Sequence, residues 1–230
     1  LITDIKAEAR QTTPVVSGEG DQADVKMTRL GALYTADWKL QLIAAGLAYS
    51  LPVGTVAAGG DFTAVVGGGN GTTIDSDQPE LVIGVDAGYY LIPMECSAAC
   101  YADPVTDNGI TQIALFADRS QAPVTANASG TAATPVNLLD GSTAFPGRAW
   151  TASTGDITDP VCSEMLDYAC NEVGCTTGGS TNLEVKLNYK PDAPSILAGP
   201  CQVVLCWGGT AAASGGGIIK VAAVPASYFA

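Results

Sequence analysis

Residues 182–190, NLEVKLNYK, alternate strictly: Leu183, Val185, Leu187 and Tyr189 fall on one side of an extended chain, and Glu184, Lys186, Asn188 and Lys190 on the other. A period of two is the pleat of a β-strand with one face for a core and one for water. A helix would scatter the same four apolar residues around its circumference. From Leu47 onward the rest of the chain repeats this texture in shorter pieces. The runs LAYSLPVGTV, DFTAVV, PELVIGVD, ITQIALFAD, CQVVLCW and GIIKVAAVP are separated by clusters of Gly, Pro, Asn and Asp. With the remaining extended runs they make about eight to ten strands, which suits two packed four-stranded sheets. The fold class is therefore all-β, an antiparallel β-sandwich.

Within GYYLIPMECSAACYA the same alternation places Tyr90, Ile92, Met94, Cys96, Ala98 and Cys100 on one face. Pro93 marks an edge or a bulge there, and the two cysteines read as small buried hydrophobes rather than ligands. One short helix is expected, at residues 36–45, with Thr35 as N-cap and Asp37 in the first turn. Trp38, Leu42 and Ala45 share one face of it, with Ile43 close by, so it should pack on a sheet edge or close one end of the sandwich. GGGNG at Gly67–Gly71, DNG at Asp107–Gly109 and GGG at Gly215–Gly217 read as turns. Gly71 is followed by TTIDSD, without the Lys-Ser/Thr of a phosphate-binding loop, so nucleotide binding is rejected.

The chain divides into an extended arm over residues 1–30 and a single sandwich domain over 31–230, with a long inserted loop at about 127–180. The arm carries four basic and five acidic residues, so it is neither a basic genome-binding tail nor an apolar anchor. In the inserted loop, AFPGRAWTA reads as extended and VCSEMLDYACNEVG as a short helix. Trp150, Arg148 and a cysteine cluster would form its most exposed, partner-specific surface. Leu1 in first place implies removal of a leader, proteolytic maturation or a trimmed Met.

Charge and side-chain inventory narrow the function. Ten basic residues against 23 acidic ones give a formal charge of −13, which repels phosphate backbones and anionic membrane surfaces, so no nucleic-acid or membrane partner is expected. No apolar run approaches the roughly 18 residues of a membrane span. The chain has no histidine, which removes Ser-His-Asp and Cys-His chemistry and the commonest transition-metal ligand. The expectation is a non-enzyme with no catalytic residue, cofactor or metal. Seven cysteines are an odd number. Cys162, Cys170 and Cys175 are candidates for one disulfide in oxidising surroundings, and their spacings are not the CxxC pairs of zinc sites.

Four segments carry a resemblance: LGALYTADWKLQLIAAGLAYSLPVGTV, PELVIGVDAGYYLIPMECSAACYAD, ITQIALFADRS and ILAGPCQVVLCWGGTAAASGGGIIKVAAVPASYF. In order and hydrophobic pattern the chain resembles jelly-roll virion structural proteins of tailed bacteriophages, capsid-associated or decoration proteins, from Arg29 to the end with the middle loop excepted. The resemblance implies a jelly-roll-like sandwich in an icosahedral virion, a homotrimer that contacts itself and other capsid proteins. Without a basic arm to offset phosphate charge, the chain suits the capsid exterior: a decoration or cement protein, a penton-like element or a turret. Candidate subunit contacts are Trp38 and Leu42 on the helix, Trp150, and Tyr228 and Phe229 in the tail, with completion of the subunit's own core as the competing reading.

Two other classes stay open. A secreted surface-filament or layer subunit fits the low charge, the abundant Thr and Gly, the cysteines and the sequon Asn127-Ala128-Ser129. A carbohydrate-binding sandwich module would use Trp150, Tyr101 and Tyr168 to stack on sugars and Asp75, Asp77 and Glu80 as a calcium site.

Overall fold

Nine consecutive residues, Cys201 to Gly209, are all buried. A strand can bury both of its faces only where each is covered, so this segment must lie inside a sheet that is packed on two sides. The computed structural model describes residues 37–56, 62–66, 69–70, 74–102, 108–119, 130–152, 162–174, 183–209 and 213–229. The arm over 1–30, Thr35, the sequon and Cys175 lie outside the described residues.

A helix α1 (Trp38–Ala44) precedes the strands β1 (Ala48–Val53), β2 (Thr55–Val56), β3 (Phe62–Thr63), β4 (Val65–Val66), β5 (Gly69–Asn70), β6 (Leu81–Val85), β7 (Tyr89–Ala102) and β8 (Asn108–Asp118). Then come β9 (Thr131–Ala133), β10 (Val136–Asn137), β11 (Gly147–Thr151), β12 (Glu164–Gly174), β13 (Leu183–Tyr189), β14 (Leu197–Ala198), β15 (Cys201–Gly209) and β16 (Ser214–Pro225). A 3-10 helix, Ala226–Phe229, follows β16. Among the described residues nine strands have five residues or more, in line with the eight to ten expected.

The first sheet runs β10-β1-β16-β7-β13, with β14 beside β7 and β4 beside β16. The second runs β12-β8-β15-β6-β11-β9, with β5 parallel to β15. Among the eight strands of the roll, the first pairs with the last (β1 with β16), the second with the seventh (β6 with β15), the third with the sixth (β7 with β13) and the fourth with the fifth (β8 with β12). All four pairings are antiparallel. This is a long hairpin rolled on itself, with β16 joined to β7 and β15 to β8 to close the roll into two sheets. The chain is a jelly roll.

Between the sheets lies one apolar layer that includes Leu81, Ile83, Ile113, Leu115, Leu187, Leu205, Trp207 and Ile219. Burying each such side chain is worth about 1.5–3 kcal/mol. The two sheets are linked along both sides of the sandwich. On one side β9 belongs to the second sheet and β10 to the first, with only Thr134 and Pro135 between them. On the other, the Asn171 Nδ2 on β12 donates to the Glu184 carbonyl on β13 at 3.2 Å. β12 and β13 are the long edge strands of the two sheets, each paired on one side among the described residues.

Pro93 does mark a bulge, and the bulge changes the expected faces. Lys220 faces Glu95 and Val221 faces Pro93, so Met94 is the extra residue of β7. Parity flips across it. Leu91, Cys96, Ala98 and Cys100 point into the main core, while Ile92, Met94 and Tyr90 point to the outer face of the first sheet. There α1 covers them, adding Trp38, Leu42 and Ile43 to a second cluster with Ala48, Ala222 and Val224. The helix is capped by Asp37, whose Oδ1 accepts the Lys39 N–H at 3.1 Å, so Asp37 is the cap and not a first-turn residue.

Two further expectations are corrected. Residues 164–174 form a strand, not a helix, because eleven residues of backbone pair with β8; a bulge between Met165 and Asp167 turns Leu166 toward the core and leaves Met165 outside. The described part of the expected inserted loop thus supplies β9 to β12 to both sheets. Gly215–Gly217 lie within β16, not in a turn. A Cβ at Gly217 would sit 2.5 Å from the Ser97 carbonyl oxygen and 2.6 Å from the Ala98 Cβ, a close approach that only glycine allows. Gly217→Ala is accordingly expected to destabilise the chain by about 1–3 kcal/mol in urea unfolding; an unchanged midpoint would show that the strands can separate without cost.

Candidate functional site

Four rows of side chains cross the outer face of the first sheet beyond the helix. Read from β13 through β7 to β16, the first is Glu184, Tyr101 and Ser214, and the second is Lys186, Ala99 and Gly216. The third is Asn188, Ser97 and Ile218. Lys190, just past β13, and the pair Glu95 and Lys220 complete the fourth. The middle rows hold the smallest side chains, so the face is hollowed there into a shallow concavity of about 420 Å³ lined by Ser97, Ala99, Lys186, Asn188 and Gly216.

Charge frames the hollow. The Glu95 carboxylate is shared by Lys190 at 3.3 Å and Lys220 at 3.2 Å. Burial works against its charged form, and the two ammonium groups overcome that and hold the carboxyl below its ordinary range. Lys186 pairs with Glu184 at 3.1 Å, both well exposed, a contact worth little on its own. Three of the six basic residues in the described set stand on this face, against two of its thirteen acidic residues.

A second charged group fastens the fold. Arg119 at the end of β8 donates through Nε to Glu164 at 3.0 Å and through Nη1 to the Ile196 carbonyl at 3.1 Å. The Ser195 hydroxyl donates to the other Glu164 oxygen. This hydroxyl first, and then Arg119 against the effect of burial, holds the Glu164 carboxyl below its usual range. The cluster ties the edge of the second sheet to the segment entering β14.

The residues singled out in the sequence are dispersed. Trp38 is half-buried and Leu42 buried in the cluster under α1, so both complete the subunit's own packing. Trp150 is 6% exposed, flanked by Val82 and Ala132 on neighbouring strands, and is not the exposed surface expected of it. Tyr228 is exposed, while Phe229 lies in the same 3-10 helix with its side chain outside the described set. Leu40, Val136 and Leu139 are exposed large hydrophobics. Leu139 lies beside Gly46 at the end of α1.

Cys162 and Cys170 are free thiols, and Cys175 lies outside the described residues. Cys96 and Cys100 are buried as expected, and burial pushes both thiols up to about 12. The three residues considered for calcium do not converge. Glu80 is buried and its carboxylate accepts the Trp207 N–H at 2.6 Å, while Asp75 accepts the Asp77 N–H of its own turn. Among the described residues no group of three His, Cys, Asp or Glu is placed to hold a metal. Of the aromatics considered for sugar stacking, Trp150 is buried and Tyr101 and Tyr168 stand on different sheets.

No protein-family model matches the chain, and no curated protein matches it. The concavity is hidden in the sequence because Gly215–Gly217 read as a turn, and the outward alternation of Lys186 and Asn188 is the signal that points to it.

Because the Glu95 carboxyl is held below its ordinary range, its stabilisation is present above about pH 4.3 and is lost as pH falls through the lowered value. Glu95→Gln should therefore shrink the difference in urea midpoint between pH 7 and pH 3. A difference equal to that of the unmodified chain would mean that the lysines do not act on Glu95.

Proposed function

We propose that this chain is a structural component of a bacteriophage virion, a decoration or cement protein of the outer capsid layer that works as a homotrimer. The observation that carries the reading is the first-with-last strand pairing of the jelly roll, an architecture shared by viral capsid proteins, lectins and cupins, taken together with the layout the chain shares with phage virion proteins. Fold alone does not assign function, and two surface properties favour assembly. The outer face of the first sheet carries small side chains, Ser97, Ala99 and Gly216, against which another surface can pack. The formal charge of −13 favours a position away from packaged genome over one against it.

Such a protein works by repetition. Each subunit contact buries apolar surface whose gain is offset by the freedom lost on association. A trimer that engages several neighbours at once gains from effective concentration, so modest contacts hold a shell against internal pressure. The sugar-binding reading is weakened by the burial of Trp150.

Immunogold labelling of intact phage particles, with antibodies raised against the purified chain, tests this role. Regular labelling over the outside of the head is the expected result. Label on filaments, label that emerges only after particles are broken, or none on particles would overturn it.

A further inference from the structure

We infer that the concavity on the outer face of the first sheet is the docking surface for a second copy of this chain, in a heterologous contact that closes into a ring. The inference rests on the assembly reading above and adds to it a surface, an occupant and a symmetry.

Shape comes first. Ala99 and Gly216 stand side by side in one row and Ser97 lies in the next, so the middle of this face projects almost nothing beyond its backbone. A neighbouring surface can approach closely there, whereas the upper part of the same face is filled by α1 over Ile92, Met94 and Val224. Tyr101 in the row above the hollow and Ile218 at the β16 end of the Ser97 row, both exposed, offer apolar contact at its rim.

Charge then selects the occupant. Among the described residues the face holds Lys186, Lys190 and Lys220 against Glu95 and Glu184, a surplus of one positive charge, in a chain whose formal charge is −13. The other described residues include three basic side chains, Lys39, Arg119 and Arg148, against eleven acidic ones. A molecule charged in this lopsided way attracts a copy of itself in one orientation. The lysine-bearing face meets an acidic surface of the neighbour, and the same two faces brought together would repel. An isologous dimer through this face is therefore disfavoured. A contact between two different patches of the same chain remains, and such contacts close into rings when the rotation permits.

Native mass spectrometry of the full chain, with Ser97→Tyr and Lys186→Glu beside it, tests the inference. Ser97 and Lys186 are both exposed, so circular dichroism and the melting temperature should stay unchanged. Ser97→Tyr fills the hollow and Lys186→Glu reverses its charge. Each is expected to raise the concentration needed for the cyclic oligomer by tenfold or more, and added salt should weaken the unmodified ring. An oligomer that both variants leave intact would overturn the docking surface while the assembly role stands. A two-fold dimer weakened by both variants would overturn the ring. A chain that stays monomeric at every concentration would overturn both this inference and the trimer proposed above.

Discussion

The pairing of β1 with β16 holds the structure together. Six residues of β1 lie opposite Ala222 to Gly217, about three-quarters of the chain away in sequence. Closing so long a loop has a large entropic cost that grows only slowly with length, and three more nested pairings, β6 with β15, β7 with β13 and β8 with β12, share that cost. None of them is local: even the innermost, β8 with β12, sets Glu164 opposite Ala117 and Gly174 opposite Asn108. The apolar layer makes the closure worthwhile, because Leu81, Ile113, Leu205 and Ile219 meet only after the hairpin has rolled up. A fold dominated by distant pairings is expected to form slowly compared with a helical bundle of similar size.

Once rolled, the molecule uses the two sides of its first sheet differently. The inner side is a uniform apolar layer. The outer side is divided by the bulge at Met94, which turns Ile92 and Met94 outward and so creates a second, smaller core that needs the helix as its lid. Beyond the bulge the same strand carries Glu95, Ser97 and Ala99 on that side, and the sheet stays open. One extra residue thus separates a part of the face that the helix covers from a part that no described residue covers.

Much of this was legible in the residues, and the failures have physical causes. Strict alternation in Leu183–Tyr189 gave strand, face and exposure correctly, since one side is core and the other water. Pro93 announced its bulge, but alternation counted across it assigned Ile92 and Met94 to the wrong side. Residues 164–174 read as helical because Met165, Leu166 and Ala169 recur at helical spacing, and pairing with β8 overrode that local preference. Gly215–Gly217 read as a turn because strand glycines are uncommon, whereas here the neighbouring backbone comes too close for any Cβ. Trp150 shows the limit of composition: a large aromatic beside Gly, Thr and Arg looks like surface until the strands on either side of it are known.

The nested pairing itself left no mark in the residues, since any strand of suitable alternation can face any other. The hollow depends on it as well, because it exists only where β13, β7 and β16 lie side by side. Nuclear Overhauser contacts in the isotopically labelled chain measure it directly. Backbone protons of Tyr49 should show contacts to those facing them at Val221, and Ala98 to both Leu187 and Gly217. Contacts of β16 confined to β15, its neighbour in sequence, would mean a simple meander and would contradict the rolled hairpin.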